Sequence, residues 1–396
     1  MSLKAFQTIL DLQTKVGALA FYQKPTPGNP QGRILEASFS RPNVGAASGA
    51  TVFDKDGVLQ ELSENEPDWD FPIGGGCPVI KMRPQSQNLC TSPIDISAAS
   101  KVNVTIPNAT QIREDGSLAS EFFAFQDFSG FSSSTDYTMI IEVEPVGGRN
   151  FRLQEGLGSS AITNIDFEAE TASGSASLVK QGNGKFLIFL PITTGASQTS
   201  IRFLMRVLDG SLNTSFDGDV NKGVNITLRD IQAGHEGISP IPNNVTRSAN
   251  QFTFDNLVSN GIIDSSAFTF LLDFKLPPNA GVNGSRLIRF RDVADANLLE
   301  LVCSINGTSA SWISGGTLLG GYQDVSTRKK LAISVNGNLA TVSLAGSTIA
   351  LNVDMGGSLA ITKLFAQMIN GWGLDLYAAA FAPLALSEGD INAATT

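Results

Sequence analysis

Apolar and polar positions change rhythm once along this chain. Over residues 2–16, SLKAFQTILDLQTKV, apolar side chains recur at Phe6, Ile9, Leu10, Leu12 and Val16, near the helical period, behind a Ser2 N-cap and ahead of Gly17. The pattern predicts one short amphipathic helix. A helix of that length is marginal alone in water, so its stripe is expected to dock on its own domain, a sister subunit or another protein. Beyond the Pro/Gly linker KPTPGNPQG the period shortens. Tyr137 to Val143, Lys185 to Leu190, Ile201 to Val207, Val224 to Leu228 and Phe268 to Phe274 are short runs rich in β-branched and aromatic residues, bounded by Gly, Asn, Ser and Pro clusters. They predict β-strands, and so many of them predict an all-β fold of sandwich domains. A second break at residues 239–251, SPIPNNVTRSANQ, separates two strand-rich halves. In ALSEGDINAA, Ser387 three residues ahead of Asp390 predicts a short capped helical turn.

The stretch TVFDKDGVLQELSENEPDWDF, residues 51–71, looks at first like a calcium loop. An EF-hand opening at Asp54 needs an oxygen ligand at its fifth position, Gly at its sixth and Glu at its twelfth, where this chain has Val58, Leu59 and Asn65. The alternative is a hairpin: an apolar run, an Asp/Gly turn at Asp54 to Gly57, and a second run toward Leu59 and Leu62.

Composition narrows the function classes. The 396 residues suffice for two or three domains, and 42% hydrophobic against 16% charged residues is a globular balance. A net charge of −10 repels phosphate backbones, so no nucleic-acid partner is expected. The single histidine, His235, lies in QAGHEGISP, which reads as a loop; any His-dependent mechanism has to pass through it. Cys77, Cys90 and Cys303 fit neither a CxxC pattern nor a disulfide framework. No signal-peptide pattern opens the sequence and no run of 18 apolar residues occurs, so neither secretion by the usual route nor membrane insertion is expected.

Read together, several segments resemble a family: virion proteins of tailed bacteriophages that carry a jelly-roll module followed by a concanavalin A-like (laminin-G-like) module. The markers are Arg41, Asp54, Gly57, Asn65, Glu66, Pro67, Trp69, Asp70, Arg83, Asn88 and Leu89 in the opening stretch, then KQGNGKFLIFLP. They continue through Asp217, Gly218, Gly223, Val224, Gln232, Val245, Thr246, Arg247 and Ala249, and end in KKLAISVNGNLATVSLAG and LYAAAFAPLALSEGDINAAT. The resemblance spans roughly residues 33–394 and implies a division into 1–32 (helix and linker, for attachment or oligomerisation), 33–248 (jelly-roll sandwich) and 249–396 (concanavalin A-like sandwich).

Three sets of side chains are candidate sites. Asp166, Glu168 and Glu170 fall at i, i+2 and i+4, and on a strand would share one face. The spacing resembles the three acids of retaining glycosidases with a concanavalin-like fold, but the leading residue is Asp and no tryptophans flank it, so a solvated strand face is expected. Laminin-G-like and jelly-roll lectin domains often hold one Ca2+, which implies Asp217 with Asp219, or Asp230, as ligands; no other cofactor is expected. Glycan contact calls for exposed aromatic platforms, and in a chain with 24 Phe but 3 Trp and 4 Tyr these are Trp312 and Trp372, set among Gly and Ser.

The expectation is a non-enzymatic virion structural protein, made in the host cytoplasm: a fibre, spike or decoration subunit with other virion proteins and host surface glycans as partners. By fold-level analogy it is a homo-oligomer, trimers being the common arrangement. The alternatives are a decoration protein that binds no ligand and a polysaccharide depolymerase.

Overall fold

The computed structural model describes residues 20–23, 33–36, 38–40, 50–54, 56–62, 69–70, 79–82, 86–159, 161–234, 240–242, 246–247, 251–254, 257–258, 263–264, 266–276, 286–294, 296–303, 309–315, 317–356, 361–367, 374–382 and 384–396. Among these the chain is strand and loop, with one helix, Glu388–Thr395, so the all-β sandwich class read from the sequence is the one it adopts. The helix expected over residues 2–16 and the linker at 24–32 lie outside the described residues.

Two compact units divide the chain. The first sandwich comprises residues 44–62 and 86–247; the second comprises 1–43, 63–85 and 248–396. The linear division at 32 and 248 therefore does not describe the units. Ser38–Ser40 pairs with Gln251–Phe254, and Val79–Met82 with Leu374–Ala382, so short N-terminal strands complete sheets of the C-terminal sandwich. The first sandwich is largely an insertion between them. Its two ends meet, since Thr246–Arg247 pairs antiparallel with Ser86–Gln87.

The first sandwich has two antiparallel six-stranded sheets. One runs Val104–Thr105, Gln111–Glu114, Gly223–Ala233, Asp136–Val146, Phe186–Thr193, Ser177–Lys180. The other runs Thr171–Ala172, Ile162–Asp166, Asn150–Glu155, Ser200–Leu208, Phe122–Ser129, Ser100–Val102. Strand Ser200–Leu208 shows the two-residue period of a strand with one core face: Ile201, Phe203, Met205 and Val207 are buried, while Arg202, Leu204 and Arg206 are half-buried. They meet Met139, Ile141, Val143 and Ile188 of the facing sheet in one core.

Strand Asp136–Val146 behaves differently, being buried without interruption from Tyr137 to Val143. Its outward Ile140, with Leu187 and Leu228, lies beneath Phe53 and Leu59 of the hairpin Thr51–Phe53/Leu59–Glu61. Burial of each such aliphatic side chain contributes roughly 1.5–3 kcal/mol. The hairpin expected at Asp54 to Gly57 is thus a cover for one outer sheet face. Asp54 Oδ1 accepts the Asp56 and Val58 amides at 2.9 Å each and Oδ2 accepts Gln60 Nε2 at 2.8 Å, while Gly57 takes φ +71°. The carboxylate closes a turn.

Among the described residues the second sandwich has two seven-stranded sheets around a core that includes Phe268, Phe270, Phe290, Trp312 and Phe381. One of its sheets is covered outside by the helix. Ser387 caps that helix by accepting the Asp390 amide at 3.2 Å, and Ile391 and Ala394 pack on Leu271, Ala332, Ala380 and Ala382. The capped turn read from Ser387 and Asp390 is real and continues for eight residues.

Candidate functional site: an open sheet face

The calcium ligands implied by the sequence do not assemble. Glu114, whose side chain is fully buried, accepts both Arg149 Nε at 2.6 Å and Nη2 at 2.9 Å, and its Oε2 also accepts the Asp219 amide at 2.6 Å. The Arg149 guanidinium lies 4.6 Å from the Phe216 ring centroid and occupies the place beside Glu114 that a cation would take. Asp217 Oδ1 accepts the Ala119 amide at 2.9 Å, and Asp219 Oδ1 accepts the Asn221 amide at 3.0 Å. Local amide bonds hold the Asp219 carboxyl below its ordinary pKa. Asp230 stands seven residues beyond Gly223 on one strand, about 23 Å at the usual rise, too far to share an ion with them. It is buried, its Oδ2 accepting Gln232 Nε2 at 2.5 Å and the Ile241 amide at 2.8 Å, and burial pushes its pKa up to about 7. No group of three His, Cys, Asp or Glu side chains placed to hold a metal occurs among the described residues.

The acid triplet is not a strand face either. The strand stops at Asp166, whose Oδ1 caps the following turn by accepting the amides of Glu168 and Ala169. Glu170 takes φ +55° and pairs with Lys180 at 2.5 Å. Asp166 ends the strand while Glu168 and Glu170 lie in the exposed turn after it, so the three do not form one strand face.

Trp312 is corrected as well. It lies on strand Ser309–Ser314, is 1% exposed, and sits 6.0 Å from the Phe290 ring and 6.2 Å from that of Phe270. Its Gly and Ser neighbours suggested a loop, but the ring is core and no sugar can stack on it. Trp372 and His235 lie outside the described residues.

What the structure does present is the outer face of the second sheet of the first sandwich. No described segment covers it as the hairpin covers its counterpart. Register places its side chains in rows across the strands. Asn164, Arg152, Arg206 and Phe123 form one row; Ile162, Gln154, Leu204 and Phe125 form the next; Arg202 and Asp127 follow. Arg202 makes a two-point ion pair with Asp127 (2.6 and 2.8 Å) and stacks 4.3 Å from the Phe125 centroid. That contact lowers the Asp127 pKa and raises that of Arg202. Arg206 pairs with Glu121 at 2.9 Å and lies 5.1 Å from the Phe123 centroid. Arg152 donates from Nε to Asn164 Oδ1 at 2.6 Å and has no carboxylate in ion-pair reach among the described residues. Burial, and then the neighbouring Arg206, lower its pKa. At the end of the face, buried Glu155 accepts the amides of Leu157, Gly158, Ser159 and Arg202, which fixes the adjoining loop. Guanidinium forks, amides and partly exposed rings on a rigid sheet are the groups that hold a sugar: forks and amides bond hydroxyls and anions, and rings take the C–H face. None of these residues was singled out from sequence. The alternation of NFRLQE and IRFLMRV does mark Arg152, Gln154, Arg202, Leu204 and Arg206 as one-sided, but only the strand order brings them together.

No protein-family model and no curated protein sequence matches the chain. Solved structures similar to it include an alginate lyase from Alteromonas sp. 272 (8% identity, TM-score 0.22), covering 33% of this chain and 60% of that one. An alginate lyase from Corynebacterium sp. is 13% identical, with TM-score 0.24 and coverage of 59% of this chain and 93% of that one. A Trypanosoma rangeli sialidase in complex with 2,3-difluorosialic acid is 9% identical, with TM-score 0.30 and coverage of 95% of both. The expectation of a non-enzymatic protein is corrected by this comparison, because enzymes stand among the similar β structures and the architecture does not exclude catalysis. At these identities and TM-scores the likeness carries no substrate, residue role or reaction to this chain.

Proposed function

We propose that this chain is a structural protein of a tailed-bacteriophage virion, a fibre, spike or decoration subunit that displays its sandwiches for adhesion to host surface glycans. The observation that carries the adhesion part is the open face bearing Arg152, Arg202, Arg206, Phe123 and Phe125, opposite a sheet whose outer face is covered. The virion part is supported by the set of sequence markers. Repetition on a particle turns weak contacts at each copy into avidity, which suits a shallow face better than a deep cleft. Other virion proteins and sister copies of the chain are the partners this reading implies.

Electron microscopy of virions labelled with an antibody against residues 252–396 tests it. Label at fibre or spike tips supports host recognition. Even decoration of the shell or tail shaft removes the adhesion part, and virions without label overturn the virion assignment.

A further inference from the structure

Two of the three guanidiniums on the open face are engaged by carboxylates of the chain itself, Arg202 by Asp127 and Arg206 by Glu121. Arg152 is the exception. Asn164 holds its Nε and so orients the fork, while its two terminal nitrogens bond no other described residue. Among the described residues Arg152 is thus the guanidinium of this face that no carboxylate pairs, with Asp166 two residues beyond Asn164 on strand Ile162–Asp166. An oriented fork beside a second cation, Arg206 on the neighbouring strand, is complementary to a carboxylate, which it takes through two parallel hydrogen bonds. Phe123 lies on the same row two strands away, about 10 Å off at the usual strand spacing, with Phe125 one row further. That is the reach of two linked sugar rings. A ligand carboxylate on Arg152 brings the next ring toward the phenyl pair, whose centroids are 6.4 Å apart and whose rings the Arg206 and Arg202 guanidiniums also contact.

We propose that the open face recognises carboxylated glycans, with Arg152 receiving the sugar carboxylate and Phe123 and Phe125 supporting the adjacent ring. The proposal rests on the adhesion reading above and adds the ligand's chemical class. Gln154, between Ile162 and Leu204 in the second row, is placed to bond a hydroxyl of the bridging portion.

The test uses the full chain and matched probes in titration calorimetry: trigalacturonate against its methyl ester, and sialyllactose against lactose, backed by an array of acidic and neutral glycans. The expected result is at least tenfold tighter binding of an acidic glycan than of its neutral counterpart. Arg152→Gln should erase that preference without shifting the melting temperature, and Arg152→Lys should retain part of it, since the charge survives but the fork does not. Equal affinity for acidic and neutral partners, or an acid preference that survives Arg152→Gln, overturns the proposal while leaving glycan adhesion in place. Silence of the whole array overturns both.

Discussion

The carbonyl oxygen of Gly57 accepts the backbone amide of Gly182 at 3.1 Å, joining the tip of the covering hairpin to the tight turn before strand Phe186–Thr193. Leu59 N adds a bond to Gln181 Oε1 at 3.1 Å. The approach is so close that a Cβ on Gly182 would stand 1.9 Å from the Asp56 carbonyl oxygen. Gly182→Ala should therefore lift the hairpin from Ile140, Leu187 and Leu228, costing about 2–3 kcal/mol, within the range for overpacking. Thermal melting, with limited proteolysis mapped to residues 51–61, checks it. Unchanged protection of that segment would refute the docking role.

Trp312 offers a clean contrast between packing and recognition. Removing its ring from the Phe270/Phe290/Phe381 cluster should cost about 3–5 kcal/mol. Trp312→Phe should cost less, and neither variant that still folds should change the glycan binding proposed for the open face. All 3 tryptophans belong to the second sandwich, so calorimetry beside fluorescence shows which unit melts early.

Asp230 gives a pH signature of unusual sign. Its folded pKa of about 7 stands above the ordinary 3.8, so between those values the folded state keeps a proton that the unfolded state releases. Stability is greatest below the unfolded value and declines as pH rises toward the folded one, by at most about 1.4 kcal/mol per pH unit. Asp230→Asn should flatten this decline over roughly pH 4–7. Chemical denaturation across that range measures it; parallel slopes for the two proteins would contradict the burial argument.

Arg149 should behave as a structural cation. Arg149→Met strands the buried Glu114 carboxylate and should destabilise the first sandwich by about 3–5 kcal/mol. Added calcium should leave the melting temperature of the native protein unchanged relative to chelator. A calcium-dependent rise would instead restore an ion site near Asp217 and Asp219.

The strands were legible in the sequence because each imposes its own period. YTMIIEV, IRFLMRV and FTFLLDF lie inside strands Asp136–Val146, Ser200–Leu208 and Ala267–Lys275, and the Ser387 cap is local too. Less legible was anything set by partners distant in the chain. Uninterrupted burial in YTMIIEV signals a second cover, yet nothing in that run says that Phe53 and Leu59 supply it. Spacing put Asp166, Glu168 and Glu170 on one face, whereas a positive φ at Glu170 and capping by Asp166 turn the chain there. The open face shares this character: Arg152 and Phe123 fall on one row only because Ser200–Leu208 runs between their strands.

The joined ends of the first sandwich have a mechanical consequence. Ser86 opposes Arg247 and Gln87 opposes Thr246, so the chain leaves both partners at the same end of a two-residue ladder. Tension that draws residues 85 and 248 apart loads this ladder in the unzipping direction, breaking its bonds in turn instead of all at once. Next in line are side-chain anchors, Ser86 Oγ on Gln232 and Asn88 on the carbonyls of Arg229 and Ile241. Under such a load the first yield point of this unit falls at that ladder, before the six-stranded sheets begin to stretch.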